Sequence, residues 1–489
     1  MNMYTMIGCA QEETQIGVGG INKRFEYSEK FLAGCQAVSG KRVAEISNET
    51  GMSHEYIYQQ KAKVLQYAKG LNNGKPKVPV LELNKKNIDR IILSLTLDCQ
   101  SPIDGVVRFF ENAIVEKTVS SGYISGLITE AAERAQAFDD QIDLSGIHQG
   151  ANDEIFQCGI PVLTGIDPES TYTYLLEEAS DRKAETWALY MNDRKWHGLN
   201  LDTSINDGGT GLMAGIPQVF PDAEIQSDTF HSAYDMGKEI SKLERSAYKL
   251  VKGEHDIQEN LSGKKSRTKN KDALNEIQPK VEKAIKLYDL IFILFTWFKE
   301  LLSFSGYNMT ETMDLAKWVL QEMDALAGEN PKLREKIKKT KKILPSLLSF
   351  IGRLERAMEA SAIKMGIPIE GFRLMYRQLS FSPESSEYNE ILYKQVMILG
   401  KRYTEAREEF EHLLKGIKKA SSMVENLNGR IRVFIEVKRI IPFRFFILLK
   451  VYFNTRRYKR SRCKERIGKS PLELLTGAPQ PGFLEALGY

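Results

Sequence analysis

The chain has 489 residues, with 68 Lys and Arg set against 64 Asp and Glu, a formal net charge of only +4. That length exceeds one compact core and predicts three or more units, while the near-balance of charge excludes a global polycation, so any nucleic-acid surface must be local. Cys9, Cys35, Cys99, Cys158 and Cys463 are scattered without a C-x-x-C pair, which argues against a zinc ribbon and a secreted disulfide framework and fits a reducing cytoplasm.

Met1 to Met6 has neither a basic start nor a long apolar core, so no signal peptide is expected. The greasiest run, Leu290 to Phe298, is about half the length of a membrane span. A soluble, cytoplasmic protein with no membrane partner is the expectation. Within residues 1–71, the run from Val43 to Gln60 has the layout of a helix-turn-helix. Val43 and Ile46 would face a small core, Ser47 is small where two helices cross, Gly51 permits the turn, Ser53 caps the next helix and Ile57 anchors it. Ser53, His54, Glu55, Tyr58, Gln59 and Lys61 are then placed to meet base edges and phosphates. The alternative is a plain helical hairpin in a bundle. Asn72 to Pro79 reads as a linker.

A looser helix-turn-helix pattern occupies residues 80–140. There Ser120 or Ser121 would cap a helix held by Ile124 and Ile128, displaying Tyr123, Ser125 and Glu130. Two such modules would read a longer DNA site than one.

From Asn152 the pattern changes to short strands. Asp153–Phe156, Pro161–Ile166 and Thr171–Leu176 form an expected antiparallel meander, with turns at Gln157–Gly159 and Asp167–Ser170. A helix from Arg182 to Asn192 follows, with Ala184, Trp187, Ala188 and Met191 at helical spacing. The alternating run Leu201–Ile205 then ends abruptly in Asn206-Asp207-Gly208-Gly209, offering Asp207 at a strand's carboxyl edge. A short helix through Leu212, Ile216 and Val219 leads to a further strand, Ala223–Asp228. Three antiparallel strands, helix, strand, helix, strand is the order of a ribonuclease-H-like domain, here expected over residues 150–237.

In such a sheet an acid on the first strand and one just past the fourth converge, and Asp153 and Asp207 fit. Two hard divalent cations about 3.5–4 Å apart need carboxylate oxygens from separate elements, so a third acid is required from a later helix. Glu425 is the best candidate, sharing a helix face with Asn428. Asp167 is a rival first acid, but Asp-Pro-Glu-Ser is a turn signature. Glu408, Glu409 and Glu411 lie on what reads as an ordinary charged surface helix.

Asp153 on a first strand, Asp207 in N-D-G-G, Ser227-Asp228-Thr229-Phe230-His231 and Glu425 in E-N-x-N-G-R together resemble the bacterial DDE transposases of insertion sequences. Asn454–Tyr458 and Gly468–Gly477 are similar to the tail of those proteins. The resemblance runs from the first helix-turn-helix to the end of the chain, and departs from a minimal core in the 218 positions between Asp207 and Glu425. It implies an α/β ribonuclease-H-like core with N-terminal all-α modules and an all-α insertion. It also implies two Mg²⁺ ions, with Mn²⁺ as a substitute, on Asp153, Asp207 and Glu425. The DNA partners would be the terminal repeats and a double-stranded target, held by a dimer or larger assembly near a prokaryotic nucleoid. Asp228, His231 and Asn428 would stand beside the site. A DNA-binding regulator without catalysis and a structure-specific nuclease remain alternatives.

Residues 238–419 read as almost wholly helical, with Leu287, Leu290, Ile291, Leu294, Phe298, Leu301 and Leu302 in one wide apolar stripe expected to be buried. Gly263–Ser266 has the wrong upstream residue for a phosphate loop, and Lys336–Lys342 reads as a solvated helix face. Residues 420–489 carry Glu425 and a basic tail. Arg430, Arg432, Lys438, Arg439, Arg444, Lys450, Arg456, Arg457, Lys459, Arg460, Arg462, Lys464, Arg466 and Lys469 face only Glu436 and Glu465 in that span. Phosphate is the natural counter-charge. Phe443, Phe445, Phe446, Ile447, Leu448, Tyr452 and Phe453 would hold the basic helix to the sheet.

Overall fold

A computed structural model describes residues 25–72, 83–114, 118–261, 267–328 and 330–489. Met1–Met6, residues 73–79 of the expected linker and Gly263–Ser266 lie outside them. The described residues up to 87 and those from 88 onward form two compact units.

The first unit contains α1 (Tyr27–Val38), α2 (Val43–Thr50) and α3 (His54–Asn72). Gly51 sits in the left-handed region at φ 75° and ends α2, its N–H donating to Ser47 O at 2.8 Å. A side chain there would be strained. Ser53 Oγ accepts the Tyr56 N–H at 3.2 Å and starts α3. Ile46, Met52 and Ile57 are buried with Ala33 and Ala37, so His54, Tyr58 and Gln59 are left exposed and Lys61 half-buried.

Helix α4 (Lys85–Leu97), nearly all of it in the second unit, is followed by α5 (Ile103–Ala113) and α6 (Ser121–Asp139). Ser120 caps α6 as expected, accepting the Tyr123 N–H at 3.1 Å. These helices do not stand apart as a second module: Ile92, Val106, Phe110, Ile124 and Ala131 share one hydrophobic cluster with the sheet. The sequence pattern marked their turn but could not show what their apolar faces cover.

The sheet comprises β1 (Gln149–Gln157), β2 (Ile160–Ile166), β3 (Thr173–Glu178), β4 (Thr203–Asn206) and β5 (Glu224–Ser227), in the order β3-β2-β1-β4-β5. β1 is antiparallel to β2 and β2 to β3, whereas β4 runs parallel to β1 and β5 parallel to β4. The parallel returns are made by α7 (Ala184–Trp196) and α8 (Thr210–Val219), as crossover connections require. Alternation then divides the side chains between two faces. Ala151, Ile155, Val162 and Ile205 join the cluster that contains α6 and the C-terminal helices, while Leu163, Tyr174, Leu175 and Leu201 pack with Trp187, Met191, Leu212 and Ile216 of α7 and α8. Asp167 is a turn residue, its carboxylate accepting the Ser170 N–H at 2.8 Å and the Glu169 N–H at 3.1 Å.

From β5 the chain enters α9 (Thr229–Leu261) directly, so the expected boundary at residue 238 falls inside a helix. There follow α10 (Arg267–Leu301), α11 (Met309–Ala327), α12 (Pro331–Leu347), α13 (Ser349–Met365), α14 (Ile369–Gln378), α15 (Ser386–Leu399) and α16 (Tyr403–Gly416). Ile291, Leu294, Phe298, Leu301 and Leu302 are buried. The stripe is narrower than predicted, since Leu290 is exposed and Leu287 half-buried. These helices cover the open edge of β5. Buried Gln226 donates to Leu347 O at 3.0 Å and accepts from Ser349 Oγ at 2.8 Å and Arg353 Nη2 at 3.0 Å, which occupies an edge strand that would otherwise offer itself for pairing.

The chain ends in α17 (Ser422–Lys438), α18 (Phe443–Thr455), α19 (Pro471–Thr476) and α20 (Phe483–Ala486). α18 is buried from Phe445 to Thr455, although Phe443 at its start is exposed. Among the described residues no helix is long and apolar enough to cross a membrane.

Candidate active site

The register places the acids. Asn152 of β1 pairs with Asn206 of β4, and Asn206 with Ser227 of β5. Asp153, Asp207 and Asp228 are the next residues on each strand and therefore lie along one rung at the carboxyl edge of the parallel half. Asp153 is buried and Asp207 exposed. Gly208, at φ +89°, and the Gly209 N–H, donating to Asp207 Oδ1 at 2.9 Å, fold the loop back over the strand end.

Helix α17 crosses the same face. Asn428, wholly buried, donates to Asp153 Oδ2 at 2.6 Å. One turn earlier Glu425 projects to the same edge, and its Oε1 accepts from His231 Nε2 at 3.0 Å. His231 Nδ1 in turn meets Asp228 Oδ2 at 2.7 Å, and Asp228 Oδ2 also accepts from the Ser421 N–H at 3.1 Å and from the Ser421 hydroxyl. Asp228, His231 and Glu425 thus form a chain from β5 through α9 to α17. Burial alone would raise the Asp228 carboxyl, yet hydrogen bonds from His231 and Ser421 hold it below its ordinary value. The Asp228 hydrogen bond lifts His231 to about 9 against the effect of burial, so the ring is an imidazolium at neutral pH and donates from both nitrogens.

Burial, and then the neighbouring Asp207, push Asp153 up to about 7. Its polar contact from α17 is a neutral amide, so the negative charge gathered here lacks a basic partner on Asp153. Among the described residues, only His255, Asp256 and Glu259 on α9 bring three metal-ligand donor atoms within 4.8 Å of one another, and all three are exposed. Asp153, Asp207 and Glu425 do not all come within that distance of one another, and Glu425 is paired with His231. Hard carboxylate oxygens on separate elements around a buried, proton-hungry Asp153 nevertheless suit a divalent cation.

No protein-family model matches this chain, and no curated protein matches it. The site's meaning rests on its own geometry. Glu154, Arg182 and Ser421, which no sequence signal singles out, stand at its rim. Glu154, on the opposite face of β1 from Asp153, is half-buried as a residue, with most of its side chain covered, and pairs with Arg182 at 2.9 Å. Alternation assigns Glu154 to the face opposite Asp153, so no pattern in the sequence marks it, and nothing in the spacing announces Arg182. Ser421, another omission, immediately precedes α17.

The expected DNA-contacting residues fare unevenly. Tyr123 donates its hydroxyl to Asp89 at 2.5 Å, and burial and that carboxylate raise it to about 12; Ser125 is exposed. Lys450 is buried, bonded to Asp139 at 2.7 Å, which corrects its assignment to a phosphate-facing surface. Arg430 lies 4.0 Å from the Phe453 ring centroid and burial lowers its pKa. Lys438 donates to Ser101 O, Arg444 pairs with Glu133, and Arg457 is clamped by Glu473. Arg466 donates to the carbonyls of Pro168 and Glu169. Arg456 rests 5.6 Å from the Tyr452 ring centroid, and Arg432 is exposed, 3.8 Å from Glu425. Arg439, Lys459, Arg460, Arg462, Lys464 and Lys469 are exposed. The basic surface thus contracts largely to the segment after α18.

Proposed function

We propose that the chain is a metal-dependent DNA transposase of the DDE type, built on a ribonuclease-H-like sheet. The observation that carries this reading is the meeting of Asp153, Asp207 and α17 at one sheet edge, with Asn428 on Asp153 fixing Glu425 beside acids more than two hundred residues earlier. The strand order β3-β2-β1-β4-β5, antiparallel then parallel, supports the ribonuclease-H-like assignment. Asp153, Asp207 and Glu425 would hold two Mg²⁺ ions, or Mn²⁺ in their place. Ions held there would supply activation of water, and then of a 3′-hydroxyl, together with stabilisation of the leaving oxygen.

The chain's own residues do the rest. His231 orients Glu425 and is oriented by Asp228, the arrangement by which outer partners fix a ligand's geometry. Asn428 holds Asp153 in place without neutralising it. In the N-terminal unit, Ser53, His54, Tyr58, Gln59 and Lys61 would read the element's terminal repeats, and Lys459, Arg460 and their neighbours would grip phosphate without reading sequence. Joining two ends calls for a dimer or larger assembly on DNA.

Labelled DNA from both flanks of the gene, incubated with Mg²⁺ or Ca²⁺, tests the reading. Mg²⁺-dependent nicking at a fixed position followed by joining, both lost in Asp207→Asn and Glu425→Gln, is expected. Cleavage without joining would favour a structure-specific nuclease. Tight binding with no cutting, unchanged in the variants, would make the protein a regulator.

A further inference from the structure

The carboxylate of Glu154 is the strongest feature the proposed mechanism leaves unused. Its side chain is only 8% exposed, and one oxygen accepts from Arg182 at 2.9 Å. The other, Oε2, is buried with no hydrogen-bond partner. An orphaned buried carboxylate oxygen is costly, so it points to a missing donor.

The direction in which it points is informative. A Cβ built on Gly209 would stand 3.4 Å from Asp207 Oδ1 and 3.6 Å from Glu154 Oε2. The two carboxylates therefore face the same small space over the glycine, with the Arg182-bonded Oε1 also 3.7 Å from that point. Burial raises the Glu154 carboxyl, Arg182 opposes this, and the Asp207 charge raises it further. Arg182 does not fill the space: its guanidinium is bonded to the other oxygen and is 63% exposed.

We propose, resting on the transposase reading above, that Glu154 is a fourth carboxylate of the site, its Oε2 accepting a hydrogen bond from a water molecule carried by the divalent cation on Asp207. Mg²⁺ keeps several of its waters in protein sites, with metal–oxygen bonds of about 2.1 Å, and a water hydrogen bond adds about 2.8 Å. Glu154 is then a positioning residue, fixing the ion's hydration on the α7 side of the sheet while Asp153 and Glu425 act on the other. Arg182 tempers the charge of Glu154.

Mn²⁺ binding to the full-length protein without DNA, followed by titration calorimetry, tests this, with thermal unfolding as a check on folding. Glu154→Gln keeps the shape and removes the charge, and should weaken Mn²⁺ about tenfold or more, the usual consequence of losing an outer partner. Arg182→Ala should tighten Mn²⁺ several-fold by unmasking the carboxylate, whereas Asp207→Asn should lose the ion. If Glu154 only ties β1 to the Arg182 loop, both variants will lower the unfolding midpoint and leave Mn²⁺ affinity unchanged, which overturns the inference and spares the transposase reading. A parent protein that binds no Mn²⁺ would overturn both.

Discussion

Asp153 is held by the fold in a place that disfavours its charge. Its carboxyl is pushed up to about 7 by burial and by Asp207, whereas an unfolded chain ionises near 4. Between these values the folded state binds the extra proton, so stability falls as pH rises from about 4 to about 7 and stays low above that. The accumulated penalty is on the order of 2–4 kcal/mol. Asp153→Asn should therefore unfold at a higher temperature than the parent at pH 8 in chelator, with the difference shrinking as the pH approaches 4, while cleavage is abolished. A variant less stable than the parent at pH 8 would show that Asp153 is already compensated. His231 carries the complementary expectation: His231→Ala, with the fold intact, should lower cleavage about 10- to 100-fold by releasing Glu425, and unchanged rates at every Mg²⁺ concentration would remove the histidine from the mechanism.

Helix α18 shows how much of the architecture was legible and where legibility stopped. Its apolar run foretold a helix against the sheet, and Phe446, Leu448 and Phe453 are buried as that run implied. Lys450 in the same run looked like one more phosphate contact, because a linear pattern cannot show that Asp139, more than three hundred residues earlier, waits on the facing helix α6. Asp139 bonds both Lys450, at 2.7 Å, and Arg194, at 3.1 Å. The strands could be read because alternation and Asp-Gly turns are local signals. Glu425 could be nominated from the helix face it shares with Asn428 and from the resemblance, but its bond to His231 and that of Asn428 to Asp153 depend on a crossing of α17 over β1 that no local signal encodes. The helical insertion was legible as helix, but its use as a cover for β5 hinges on Gln226 and Arg353, which look unremarkable in sequence. Breaking the buried charge network by Asp139→Asn should cost about 3–5 kcal/mol, because wholly buried Lys450 is left without its anion, while Arg194 keeps Asp193 and Glu177. Lys450→Met should cost less, since Asp139 keeps Arg194, and denaturant unfolding that reversed this order would refute the account.

At the scale of the whole molecule, a net charge of +4 cannot supply affinity for DNA by itself, so the proposed function requires a division of labour. The first unit carries exposed His54, Tyr58 and Gln59 on α3, residues suited to base edges, while the segment after α18 carries exposed Lys459, Arg460, Arg462 and Lys464, suited to phosphate alone. These two contributions separate in a salt titration. Each phosphate contact adds a little under one unit to the slope of log affinity against log salt, so Lys459→Ala with Arg460→Ala should reduce the slope by about two and weaken element-end and scrambled DNA equally. Replacing His54 and Gln59 by Ala should leave most of the slope in place and erase the preference for the element end, since lost base contacts cost about 1–3 kcal/mol of discrimination each. If the tail substitutions instead erased the preference, or the α3 substitutions left it whole, sequence reading would have to be placed elsewhere in the chain. The exposed Arg432 beside Glu425 would then be the next residue to replace, because it alone among the proposed contacts reaches toward the carboxylates.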